Sequence, residues 1–362
     1  MLNSYGWSAK LQHDFEPYAA EGLSPGRVIV QQRGLYRLVT ATGELNARLS
    51  GRFVHEAAEG DHPVVGDWVA ADLRLEEGQA TIQAVLPRAS AFVRRAAGPS
   101  GAAQVVAANV DVALLAASLN AELNPRRLER YLATAYESGA QPVILLTKAD
   151  ACEDAEALIE GVRAVARGVP VVAISARTGQ GLDELAAHLT PGRTAVLLGS
   201  SGVGKSTLVN VLFGAEKMAT REIREDDAHG RHTTTHRELV LLPSGALILD
   251  TPGMRELGLW EVQQGVEATF ADLRAEIETL AEGCKFRDCA HGNEPGCAVR
   301  AALEDGRLDA ERYAAWGKLQ RELAHEVRKE DPRARAQARK VWISRTKGVR
   351  SMMRQKKKEQ EE

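Results

Sequence analysis

The nine residues Gly199-Ser200-Ser201-Gly202-Val203-Gly204-Lys205-Ser206-Thr207 decide how this chain is read. They follow an apolar run, 195–198, that predicts a buried strand, and they lead into 208–213, which predicts a helix closed by Gly214. Strand, loop and helix in that order are the setting that a phosphate-binding loop requires. Gly199 and Gly204 let successive backbone N–H groups turn inward around an anion, while the helix N-terminus adds partial positive charge. In such a loop Lys205 reaches the β- and γ-phosphates and the Ser206 hydroxyl ligates Mg²⁺.

Working outward, apolar runs at 110–117, 143–146 and 171–174 predict strands, and helical spacing at 125–137, 155–166 and 182–189 predicts helices between and after them. The alternation implies an α/β domain with a parallel sheet covered on both faces, its ligands beyond the carboxyl ends of the strands. Two loops fall there. In Thr147-Lys148-Ala149-Asp150 the carboxylate could accept from the N1 and N2 donors of guanine, which adenine does not offer, with the lysine stem over the base. Ser175-Ala176 could offer a backbone N–H to the guanine carbonyl oxygen. Downstream, a polar stretch carries Gly230-Arg231-His232-Thr233-Thr234-Thr235, where Thr234 could complete the Mg²⁺ shell and sense the γ-phosphate. Segments 238–242 and 246–249 flank Pro243-Ser244-Gly245 and predict a β-hairpin. It ends in Asp250-Thr251-Pro252-Gly253, with Asp250 placed to hold Mg²⁺ through water and the Gly253 N–H to bind the γ-phosphate.

The chain has 362 residues, enough for two or three domains. Residues 1 to 25 are mixed in character and predict a loosely ordered start. Short β-like segments then recur at 28–32, 36–40, 45–49, 64–71 and 80–86, the pattern of a small closed barrel of the oligonucleotide-binding (OB) type. Arg33, Arg37, Arg48 and Arg52 on that domain either touch RNA phosphates or are simply solvated. Residues 87–101 read as a linker. Cys284, Cys289, His291 and Cys297 form C-x4-C-x-H-x5-C, a ligand set for one closed, structural zinc; Cys152 reads as an ordinary buried thiol. A helix is predicted at 308–327.

Net charge is −3, so no global field announces a nucleic-acid partner, yet 333–358 holds eleven Lys and Arg and no acid. Such a tail either binds rRNA phosphates or is a solvated end. No apolar run reaches membrane-spanning length and the N-terminus lacks the form of a signal peptide, so a cytoplasmic protein is expected. The expected domains are a barrel at 1–88, a GTPase domain at 102–260, a helical zinc-binding domain at 261–330 and a basic tail at 331–362.

These loops resemble the five signature elements of translation-factor-type GTPases in a shifted order, with the guanine loops ahead of the phosphate loop. With the barrel and the zinc pattern, residues 27 to 325 resemble the RsgA family, circularly permuted GTPases of small ribosomal subunit biogenesis. The resemblance implies GTP hydrolysis with Mg²⁺ in late maturation of the small (30S) subunit, stimulation by that subunit and its rRNA, no membrane partner and a monomer. It also implies that His232 positions the attacking water, since Met254 stands where many GTPases carry Gln; His229 and His236 are neighbouring candidates. Thr147 stands where many carry Asn. The chain leaving Gly253 is expected to run from Arg255 straight into the C-terminal region, carrying switch motion there. Three other readings remain open on sequence: an RNA-binding assembly scaffold with a slow or inactive nucleotide switch, an ATP-using protein, and a permuted GTPase serving the large subunit.

Overall fold

Gly43–Leu49 alternates exposed and more buried residues with a period of two, the mark of a strand with one face on a core. It is β3 of a five-stranded barrel whose other members are β1 (Ser24–Gln32), β2 (Leu35–Thr40), β4 (Trp68–Arg74) and β5 (Gln79–Val85); α2 (Gly51–Glu56) lies between β3 and β4 in the chain. In the computed structural model, which describes residues 1–32, 34–57, 61–95, 103–119, 123–166, 168–214, 237–250, 262–292 and 294–330, these strands close in the order β1-β2-β3-β5-β4-β1. The β3–β5 pair is parallel and the others antiparallel. Irregularities at Val28/Val30 and Ala70/Ala71 bend the strands as closure requires. Val28, Leu38, Val69 and Ile82 fill the interior.

The N-terminal segment is built, not loose. Ser8 caps α1 (Ala9–Ala20), its hydroxyl accepting from the Leu11 N–H, and Leu11, Phe15 and Tyr18 pack on the core at helical spacing. Trp7 stacks edge-on between Phe15 and Trp68, with ring centroids 5.9 and 4.9 Å away. The expected linker is also structured: β6 (Ala91–Arg95) pairs antiparallel with β7 (Ala103–Ala108), and Phe92, Val106 and Ala107 are buried.

Beyond it come β8 (Val112–Ser118), α3 (Pro125–Ser138), β9 (Gln141–Thr147), α4 (Ala155–Val165), β10 (Val171–Ala173), α5 (Leu182–His188), β11 (Thr194–Gly199), α6 (Lys205–Phe213), β12 (Arg237–Leu241) and β13 (Leu247–Asp250). Strands β10-β9-β8-β11-β13 run parallel in that order, as the apolar runs predict, and β12, the first arm of the hairpin, pairs antiparallel with β13. Alternate residues feed the two faces. Leu115, Ile144 and Val196 meet Leu128 and Leu132 of α3 and Ile159 of α4, while Leu114, Leu145 and Ala195 meet Leu185 of α5 and Leu208 of α6. α7 (Gln263–Thr269) follows.

Barrel and parallel sheet are one body. β12 pairs with β1 through Val30↔Glu238 and Gln31↔Arg237, making one eleven-stranded sheet. At its base the guanidinium of Arg27, 2% exposed, donates to the carbonyls of Tyr5, Gly66 (3.3 Å) and Asn109 (3.1 Å) and to the Thr194 hydroxyl (2.8 Å). It also lies 5.2 Å from the centre of the Trp68 ring. Burial pushes its pKa down to about 10, so it keeps its charge at neutral pH.

The chain divides into compact units at Met1–Ala271 and Asp272–Glu362. The second holds α8 (Ala271–Ala281, entering from the boundary), α9 (Ala298–Glu304) and α10 (Ala310–Glu330). Within it Arg312, 5% exposed, forms a two-pronged pair with Asp272 at 2.6 and 2.7 Å.

Replacing Arg27 with Met would strip a donor from four acceptors, two of them in buried contacts and two in partly buried ones. We expect the unfolding free energy of the 1–271 unit to fall by about 3 kcal/mol or more, read from urea denaturation. A loss below about 1 kcal/mol would show that this group does not hold barrel and sheet together.

Candidate functional site

Parallel strands end at one rim, and the last residues of β8, β9, β10, β11 and β13 are Ser118, Thr147, Ala173, Gly199 and Asp250. The loops after β9, β10 and β11 are thus neighbours. Gly199 is required by packing: a Cβ there would sit 2.5 Å from the Ala116 carbonyl on β8. Ser200, Ser201, Gly202 and Val203 form the turn, and Gly204, at φ 97°, is the N-cap of α6. Lys205 opens the helix and folds back across the loop, its Nζ donating to the carbonyls of Gly199 (2.7 Å) and Ser200 (2.5 Å). Ser206 and Thr207 follow in the first turn, the former half-buried and the latter exposed.

Thr147 ties the second loop to the first. Its buried hydroxyl lies 2.7 Å from the Val203 carbonyl and 3.3 Å from that of Ala117. A hydroxyl has one proton, so the shorter contact is the bond and the phosphate loop is its target. Lys148 then adopts φ 62°, an uncommon left-handed conformation for a residue with a side chain, which turns the chain over the rim. The Ala149 N–H donates to Ile174, joining this loop to the one after β10. Asp150 is bonded to buried Ser175 and pairs with Arg177 at 2.7 Å; the Ser175 bond, then Arg177, hold its carboxyl below the usual range, so it is an ionised acceptor at neutral pH. The Ser175 N–H is committed to the Gln180 carbonyl, and Ala176 follows half-buried.

Asp250 ends β13 opposite Glu238. His229, His232, Thr234 and His236, residues 251–261 with Gly253, Met254 and Arg255, Arg33, and the basic tail lie outside the described residues. On the barrel Arg37 and Arg52 pair with Glu44 (3.8 Å) and Glu56 (3.1 Å) at the surface. Cys152 is only half-buried.

Two features of α3 escape the sequence reading. Arg127, in its first turn, donates from Nη1 to the Ser200 hydroxyl at 2.6 Å. Basic residues in a first turn work against the helix dipole, and that mismatch was the available signal. Farther along, Glu137 accepts from the Gly265 N–H of α7 at 2.8 Å, and a Cβ on Gly265 would fall 1.9 Å from the Ala133 carbonyl. The described chain after residue 261 docks on α3; the expected run from Arg255 lies outside the described residues.

In the second unit the ligand atoms of Cys284, Cys289, His291 and Cys297 all lie within 4.8 Å of one another. Cys284 and Cys297 sulfurs are 4.0 Å apart, and the His291 Nδ1 is 3.7 and 3.5 Å from them. Tetrahedral zinc, with bonds of about 2.3 Å to sulfur and about 2.0 Å to nitrogen, spaces its ligands by roughly 3.5 to 3.8 Å, so the residues fit the metal. Glu294 accepts from the N–H groups of Ala290 (3.3 Å) and Gly292 (2.7 Å) on either side of His291, holding it at φ 57°. Cys297 caps α9, its sulfur accepting from the Arg300 N–H at 3.4 Å. Four such ligands leave no open position for substrate, so a zinc held here would be of structural kind.

The RsgA GTPase family pattern matches residues 85–260. The small ribosomal subunit biogenesis GTPase RsgA of Opitutus terrae is 47% identical over 98% of this chain and 98% of its own length. That of Streptomyces coelicolor is 47% identical over 94% of this chain and 92% of its own. The chain belongs to the RsgA GTPase family. It is thus a GTP hydrolase, and GTP brings Mg²⁺ with it. Two solved structures carry the same architecture. YjeQ from Thermotoga maritima aligns with TM-score 0.60 at 26% identity, over 83% of this chain and 98% of that one. YloQ, a circularly permuted GTPase, aligns with TM-score 0.59 at 25% identity, over 86% and 96%. The permutation is visible here: β9 and β10, with the Asp150 and Ser175 loops, precede the phosphate-loop strand β11 in the chain yet share its rim.

Thr147→Val removes the donor to Val203 while keeping shape. Guanine-nucleotide affinity, by fluorescence titration, is expected to fall about tenfold, with Thr147→Asn recovering most of it; unchanged affinity in the valine variant would detach the hydroxyl from the site. Elemental analysis should give one zinc per chain, and Cys297→Ser should lose it together with the helicity of the second unit. Full metal content in that variant would rule out the ligand set.

Proposed function

We propose that this chain hydrolyses GTP on the maturing small (30S) ribosomal subunit and leaves it afterwards. One observation carries the reading: the Thr147 hydroxyl joins the guanine-type loop to the phosphate loop, in a chain nearly half identical to small ribosomal subunit biogenesis GTPases over its whole length. In this reading Lys205 binds the β- and γ-phosphates, and the N–H groups of 199–204 surround them. Ser206 and Thr234 ligate Mg²⁺, and Asp250 holds it through water. The Gly253 N–H binds the γ-phosphate. Asp150 accepts from guanine N1 and N2, Lys148 lies over the base, and the carbonyl oxygen of the base is met by the Ala176 N–H, since that of Ser175 is used internally.

Catalysis then consists of placing water in line with the γ-phosphorus. The water oxygen bonds to phosphorus as the bond to the β–γ bridging oxygen breaks, the water's proton passes to a phosphate oxygen, and GDP and inorganic phosphate leave; Lys205, with the Mg²⁺ that Ser206 and Thr234 would hold, would offset the charge that builds on GDP. His232 orients that water where Met254 cannot. Subunit binding fixes His232 in place and so stimulates turnover. The barrel and the basic tail (331–362) supply rRNA contacts. The protein works as a cytoplasmic monomer, where its subunit partner is; among the described residues no helix is long and apolar enough to cross a membrane.

Purified 30S subunits should raise GTP turnover at least tenfold, and 50S subunits should not. His232→Ala should abolish that stimulation while GTP binding stays. Equal stimulation by 50S points to the other subunit, and no turnover with either would leave an assembly scaffold; both outcomes refute the proposal.

A further inference from the structure

We infer that Arg127 is a positioning residue for the phosphate loop, acting through the hydroxyl of Ser200; the inference rests on the GTP site proposed above. Ser200 is held from two sides. Its carbonyl accepts from Lys205 Nζ at 2.5 Å and its hydroxyl from Arg127 Nη1 at 2.6 Å, so α6 grips the backbone and α3 the side chain. The loop needs such a grip. Glycines with left-handed φ stand at Gly202 (76°) and Gly204 (97°), and Gly199 precedes Ser200 directly. Glycine permits many backbone conformations, most of which would turn the loop N–H groups away from an anion. A loop already fixed in its anion-binding shape loses less entropy on binding, which appears as affinity.

Arg127 is itself well anchored. Pro125 opens α3, the Asn124 side chain accepts from the Arg127 N–H at 3.2 Å, and Leu128 and Leu132 bury the helix against the sheet. Its guanidinium is otherwise exposed, in a first turn where the dipole opposes a cation. A bond to Ser200, and a bound polyanion beyond it, compensate for that placement. Lysine in this position keeps one donor but not the planar fork, so Arg127→Lys should be intermediate.

The experiment is a double-mutant cycle on the full chain, reading the dissociation rate of a fluorescent GTP analogue. If the wild type binds none, the GTP site itself fails and this residue is not at issue. Given binding, Arg127→Ala and Ser200→Ala are each expected to dissociate about tenfold faster, the size of one hydrogen bond to a charged group. The double variant should be no faster than either, Arg127→Lys should recover part of the loss, and the thermal midpoint without nucleotide should stay at the wild-type value. Three outcomes overturn the inference: both single variants behaving as wild type, additive effects in the double variant, or a fast Arg127→Ala beside an unchanged Ser200→Ala, which would mean that only the charge matters.

Discussion

One buried guanidinium sets the relation between the two halves of the first unit. Arg27 comes from the barrel, yet its partners belong to the N-terminal turn, to the barrel loop and to the first residues of the parallel sheet. A charge removed from water is costly unless every donor finds an acceptor. Here the acceptors come from segments far apart in sequence, so the charge is satisfied only when all of them are in place. The requirement acts as a specification: barrel, N-terminal segment and sheet must be assembled together or the cation is left unpaired. The β1–β12 pairing then continues the sheet across the same junction and leaves β12 no free edge.

With the base of the sheet fixed, the opposite rim has a stable frame. Its loops are held by short bonds between backbone and small side chains: Thr147 to Val203, Ala149 to Ile174, Asp150 to Ser175. These bonds tie the base-reading loops to one another and to the phosphate loop, so their spacing is kept. The circular permutation costs nothing in this geometry, because a parallel sheet brings strand ends to one rim whatever their order along the chain.

Much of this was legible beforehand. Strands buried on both faces must be apolar throughout, and 110–117, 143–146, 171–174 and 195–198 are. The barrel strands were readable from their turns and alternation, and the zinc ligands from spacing alone. Other parts were not. The helix at 9–20 had its cap at Ser8 and its spacing at Leu11, Phe15 and Tyr18, but Pro17 and a polar run between them masked it. Residues 91–95 and 103–108 read as linker because Arg94 and Arg95 hide the buried Phe92. Arg27 looked like any basic residue at a strand start; one of its partners lies 167 positions away, and no local pattern reports such a bond. The Gly265–Ala133 approach escaped for the same reason, being a property of packing between helices, whereas Arg127 left only the weak sign of a cation in a helix's first turn.

The seam between α3 and α7 has a mechanical consequence. In α7 Val266 is fully buried, and Gly265 lets two helix backbones approach closely. Any side chain at 265 would wedge the two helices apart, so the seam tolerates no growth at its narrowest point.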